Sequence, residues 1–197
     1  MNPIQQPRLA APGAGLPAFE LFIARILFAL GTRTGSRGAF ISKFETERSM
    51  IADLVQRCHE GEAGERILIR RARGMEDSSR NWSVWMTLDH LRIVHESVAG
   101  VIRSLSENIV PEKKVSTADV KPSPEVNGDV VAVYESSCDS LLKTVVSISD
   151  LKTPARYNHP WFGPMNAFEW TGLAGAHMGI HRLQIERILQ GLGHSRV

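Results

Sequence analysis

The sequence predicts an all-α protein: a four-helix bundle with one additional N-terminal helix. Apolar residues recur at steps of three and four through four long segments, the repeat of helices that bury one face. Strand signals are poor. VVAVY (130–134) is the β-leaning run, and it continues into a helical pattern. With 197 residues, 43% hydrophobic and 22% charged, the chain has the size and composition of one globular domain with a sizeable core.

The elements follow in order. Residues 1–15, rich in Pro, Ala and Gly, read as a flexible leader to a single helical domain over 16–197. LPAFELFIARILFALG (16–31) resembles a signal or membrane segment at first sight. It is shorter than the roughly 20 apolar residues a bilayer span requires, and it carries Glu20 and Arg25, so it is assigned as the added helix. The first bundle helix is expected over about 38–59 and a short one over 62–73, with RILIRRAR (66–73) as its solvated basic face. The polar MEDSSRN then breaks the chain. Asn81 or Ser83 can cap the next helix, because each offers a short side-chain acceptor to free backbone N–H groups. That helix runs to about Asn108, with Val84, Leu88, Leu91, His95, Val98, Ile102 and Leu105 as a seam for bundle packing.

Residues 111–129 are polar, proline-bearing and long for a compact domain, and so predict a mobile loop or crossover. Another helix covers about 128–150. LKTPARYNHPWFGP is an irregular joint, and the last helix starts near Asn166, as its cap, and ends near Gly191. The small net charge of +2, without a basic stripe or helix-turn-helix, argues against nucleic acid, and nothing calls for a membrane. Cys58 and Cys138 are far apart and outside any CxxC pair. A disulfide scaffold is not expected and a cytoplasmic location fits, with Cys138 read as a buried helix residue rather than a reactive thiol.

The chemistry sits in the histidines. His59 and His194 fall at helix ends, where a protonated imidazole suits the dipole. His159 precedes Pro160 and either shapes that joint or lines a site. His177 and His181 are one turn apart and share a helical face with Ala174, Ile185, Ile188 and Leu192, so both rings aim at the core. Each ring nitrogen buried without a partner costs about 1–3 kcal/mol. A cation accepting a lone pair from each ring removes much of that cost, and the i,i+4 spacing is that of zinc-binding HExxH helices. HxxxH alone is a weak signal, and open metal sites commonly use three protein ligands. Periodicity does not choose the third. His95 lies on the seam, and His90 lies on its flank with Thr87, Val94 and Val101.

NWSVWMTLDHL (81–91), NHPWFGPMNAFEW (158–170) and HxxxHRxQI (177–185) together resemble the DinB/YfiT-like superfamily of metalloenzymes over roughly residues 38–191. The resemblance implies a four-helix bundle and selects His90 with His177 and His181 as ligands of a divalent ion, Zn or Ni, leaving His95 to the core. It implies supporting roles for Gln184, by hydrogen bonding near the site, and for Arg182, paired with Asp89 or Glu169. Trp85, His159, Trp161 and Trp170 are candidates for the pocket, although aromatics at such positions also serve as core. The implied function is a thiol-dependent S-transferase or isomerase using mycothiol, bacillithiol or glutathione through a metal-bound thiolate or water. A metal-dependent hydrolase, or a non-enzymatic metal-binding bundle with a stress-response or interaction role, is the alternative. The family also implies a homodimer. No side chain declares itself as the general acid or base.

Overall fold

The computed structural model describes residues 8–59, 61–114 and 116–194. Its helices are α1 (Ala18–Thr34), α2 (Arg37–Gln56), α3 (Val84–Ser106), α4 (Val130–Ser147) and α5 (Ala167–Gly191). α3 packs against α4 and α5, and α2 against α5, which makes the four-helix bundle; α1 lies beside α5 as the added helix. Every residue of the expected α3 seam, Val84 through Leu105, is buried. Among the described residues no helix is long and apolar enough to cross a membrane.

The helix starts follow capping chemistry. Ser36 and Ser83 accept from the N–H groups of Ala39 and Met86. Asn166 accepts from Glu169 N at 3.0 Å while the Glu169 carboxylate accepts from Asn166 N at 2.8 Å, closing a reciprocal capping box. Asn166→Ala is expected to lower stability by about 1 kcal/mol, read as a shift in urea midpoint with an unchanged slope.

Three expectations are corrected. Residues 62–73 form no helix. Their burial runs in a two-residue alternation through Ile67, Leu68, Ile69 and Arg70, and β1 (Ile67–Leu68) pairs antiparallel with β2 (Asn81–Trp82). RILIRRAR is therefore not a solvated helix face: Ile69 and Ala72 enter the core, and Arg71 ion-pairs with Glu20 of α1. The joint before α5 is ordered by a hairpin of β3 (Tyr157–His159) and β4 (Gly163–Met165), turning through Gly163 at φ +74°. Segment 111–129 crosses from α3 to α4 and is pinned where it passes α3, as described below.

α1 buries none of its residues fully. Glu20 pairs with Arg71 and accepts from Gly74 N at 2.6 Å, Arg25 Nε donates to Trp161 O at 2.6 Å, and the rings of Phe28 and Phe162 lie 4.6 Å apart. Residues 10, 13 and 15 donate their backbone N–H groups to Asp77 and Glu76. His194 bonds to Glu62 at 2.9 Å with its ring beside that of His59, so a carboxylate joins these two helix-end histidines.

Candidate metal centre

The fold brings His90 of α3 against His177 and His181 of α5. His177 Nε2 lies 3.2 Å from His90 Nε2 and 3.1 Å from His181 Nε2, and all three ligand atoms fall within 4.8 Å of one another. The other ring nitrogens settle the tautomers. His90 Nδ1 meets Val120 O at 2.6 Å, so it carries the proton and leaves a lone pair on Nε2. His181 Nδ1 meets Gln184 Oε1 at 2.6 Å, and the amide is oriented by its Nε2 donating to Ser79 O at 2.8 Å, so His181 too presents a lone pair. Trp82 stacks on His181, with 9° between planes, and packs on His90.

Two lone pairs therefore face His177, whose single proton cannot satisfy both. Placed on Nε2, it serves at best one neighbour well. Placed on Nδ1, it is buried with no acceptor among the described residues, and three lone pairs confront one another. Burial drives His90 down to about 4 and His177 and His181 well below the ordinary histidine range, so none relieves the conflict by protonation near neutral pH. A divalent cation does relieve it. Zn–N bonds of about 2.0–2.1 Å place the nitrogens of a tetrahedral site roughly 3.3 Å apart. The donor set fits a metal ion: three neutral imidazoles, two of them held by fixed acceptors.

A mostly apolar cavity opens on these rings, lined in part by Val94, Val98 and Leu173 and by His159, Trp161 and Trp170. Trp85 does not reach it and packs instead against Gly64 and Gly128. His95 is buried in the core, with Nδ1 at 3.1 Å from Ser137 Oγ and its ring against Phe44. Arg182 pairs with neither Asp89 nor Glu169 but with Glu47, at 2.7 Å, and Glu186. Glu169 is committed to the capping box and Arg156. Asp89 neither caps its helix nor stays exposed. It is buried, holds Arg92 at 2.8 Å and accepts from Ser123 N at 2.9 Å, which fixes the segment that delivers Val120 to His90.

Some participants carry no pattern by which residue spacing could find them. Val120 and Ser79 act through carbonyl oxygens, which any residue type supplies. Lys121 lines the cavity with its Nζ 2.7 Å from Ser78 Oγ and 5.1 Å from the Trp82 ring, and burial lowers its pKa.

The architecture and the cluster together define a four-helix bundle with a three-histidine centre able to hold a metal ion. The family model of the DinB superfamily matches residues 43–185, and the chain belongs to that superfamily. A solved structure described as TT2238, a four-helix bundle protein, is similar at 21% identity with a TM-score of 0.56, over 75% of this chain and 96% of that one, a likeness of fold. No curated protein matches the chain.

Proposed function

We propose that this protein is a divalent-metal-dependent enzyme, a transferase or isomerase that uses a low-molecular-weight thiol on a small electrophile. The observation that carries the reading is the convergence of three neutral imidazole Nε2 atoms on the wall of an apolar cavity. His90, His177 and His181 would hold the ion, for which imidazole donors favour Zn²⁺ or Ni²⁺. Such an ion supplies Lewis acidity, polarising a carbonyl or lowering the pKa of a water or thiol. The chain's own part is to keep the rings neutral by burial, to orient His90 and His181 through Val120 O and Gln184 with Trp82 packed against both rings, and to line the cavity beside them with Trp161 and Trp170 so that water is scarce.

The test is metal analysis of untagged protein followed by conjugation of a chlorodinitrobenzene with glutathione, mycothiol and bacillithiol. Stoichiometric metal, and turnover with one thiol that vanishes on chelation, are expected. Metal without thiol turnover would overturn the transferase reading, and hydrolysis of activated esters in its place would move the assignment to a hydrolase.

We also propose a cytoplasmic homodimer. The outer side of α1 supports it: Phe19, Phe22 and Leu30 are all more than half exposed, an apolar strip of the kind that pairs with its own copy about a two-fold axis.

A further inference from the structure

A second cavity of about 340 Å³ lies beneath α1, compared with about 110 Å³ for the one beside the triad. Phe28 and Gly31 of α1, Phe40 of α2, and Gly172, Ala176 and Ile180 of α5 line it. His159, Trp161, Leu173 and His177 belong to the walls of both cavities, so the two chambers adjoin at His177 of the triad. The second chamber depends on α1, which precedes the residues matched to the superfamily. Gly31 is an exposed residue at the edge of this chamber, and an added Cβ there would meet nothing within 4 Å.

One polar group stands at the junction in a set orientation. His159 Nδ1 accepts from the N–H groups of Trp161 at 3.1 Å and Phe162 at 3.4 Å. Its proton therefore sits on Nε2, which has no acceptor among the described residues while the ring lines both chambers. Phe162 and Trp170 flank the ring at 5.0 and 5.4 Å, and α1 is fastened to the same turn through Arg25 and Trp161 O.

We infer that the chamber beneath α1 binds the apolar tail, alkyl or aryl, of an amphiphilic substrate whose hydrogen-bond acceptor is read by the Nε2–H of His159 beside the triad. That the bound molecule is a substrate rests on the enzyme reading, but the binding site stands on the two cavities and the orientation of His159. The larger chamber takes the bulk because it offers about three times the room. The donor fixes how far the head extends toward the triad. Among the described residues Lys43 is the one Lys or Arg on the chamber wall, and its ammonium is turned to Glu47 at 3.3 Å.

The test is calorimetric binding of a 2-alkanone series, from 2-butanone to 2-decanone, to metal-loaded and to chelator-treated protein. Affinity is expected to rise about fourfold per methylene until the chamber is filled. Gly31→Leu should end that rise several carbons earlier with metal content unchanged, and the change favours helix formation at its position. His159→Asn keeps an acceptor for the turn but withdraws the donor from the cavity. It should weaken every ketone by a similar factor, roughly three- to tenfold, with the chain-length slope intact, and His159→Gln should restore binding. Affinity that ignores chain length, or a Gly31→Leu protein with the wild-type limit, would overturn the tail chamber. Unchanged binding in His159→Asn would overturn the head contact. Because binding is read without turnover, a failed thiol assay beside an intact ketone series removes the enzyme reading alone, and the reverse result removes the chamber alone.

Discussion

His177→Ala and His181→Ala proteins are each expected to lose metal affinity by more than about 100-fold relative to wild type. Removing even an outer partner of a ligand typically costs 10- to 100-fold, and each variant removes a ligand itself. His177 is the more revealing position, since its Nε2 stands 3.1 and 3.2 Å from the other two and its Nδ1 has no protein partner among the described residues. Alanine there relieves the crowding of lone pairs, so the metal-free variant should fold at least as well as the metal-free wild type. Gln184→Leu should weaken binding 10- to 100-fold by freeing the His181 ring, with all three ligands still present. His95→Asn is the matched control and should keep wild-type affinity. Competition against a chromophoric chelator measures the whole series. Wild-type affinity in His177→Ala would remove the centre as assigned.

Metal-free protein should lose stability steeply as pH falls below about 6.5. Burial holds His95 down to about 3 and His90 and His159 to about 4, and keeps His177 and His181 well below their ordinary value. The unfolded chain protonates these rings near pH 6.5. Between that pH and the lower folded values, the unfolded state binds more protons than the folded one. Stability is therefore present in full above about 6.5 and is lost as pH falls toward 4. Each ring contributes at most about 1.4 kcal/mol per pH unit, so five together reach an upper slope of roughly 7 kcal/mol per pH unit, and a fall of one pH unit at that slope would match the whole stability of a small domain. Urea unfolding in chelator at pH 7.5, 6.5 and 5.5 should show the decline, and His95→Asn should reduce proton uptake on unfolding by about one. A free energy that stays flat from pH 7.5 to 5.5 would contradict the neutral burial of these rings.

What residue spacing could and could not reveal follows from the kind of contact involved. Helix faces are periodic, so the α3 seam, the capping residues Ser83 and Asn166 and the shared direction of His177 and His181 were legible. The choice of His90 over His95 was not, because both lie on inward-facing parts of α3 and only the neighbours differ: α5 for one, Ser137 and Cys138 of α4 for the other. The family resemblance made that choice, and the fold sets the His90 ring against His177 and His181. RILIRRAR reads as a helix because its strand-like alternation, through Ile67, Leu68, Ile69 and Arg70, is short and the stretch is dense in helix-favouring arginine. The pairing of Arg182 with Glu47 was illegible because Glu47 comes from α2, 135 residues earlier in the chain, whereas Glu186 stands one turn away on the same helix.

Glu76 gives the mouth of the site its character. This one buried carboxylate accepts from the backbone at 13 and 15, from Thr117 and from Ser78, and it stands 3.6 Å from the Lys121 ammonium. The stretch before α1, the α3–α4 crossover and the turn ahead of β2 are thus knotted at a single charge. Glu76→Ala is therefore expected to loosen all three together, read as hydrogen exchange that quickens across the three segments at once, so that the approach to the three imidazoles behaves as one shutter rather than three independent flaps.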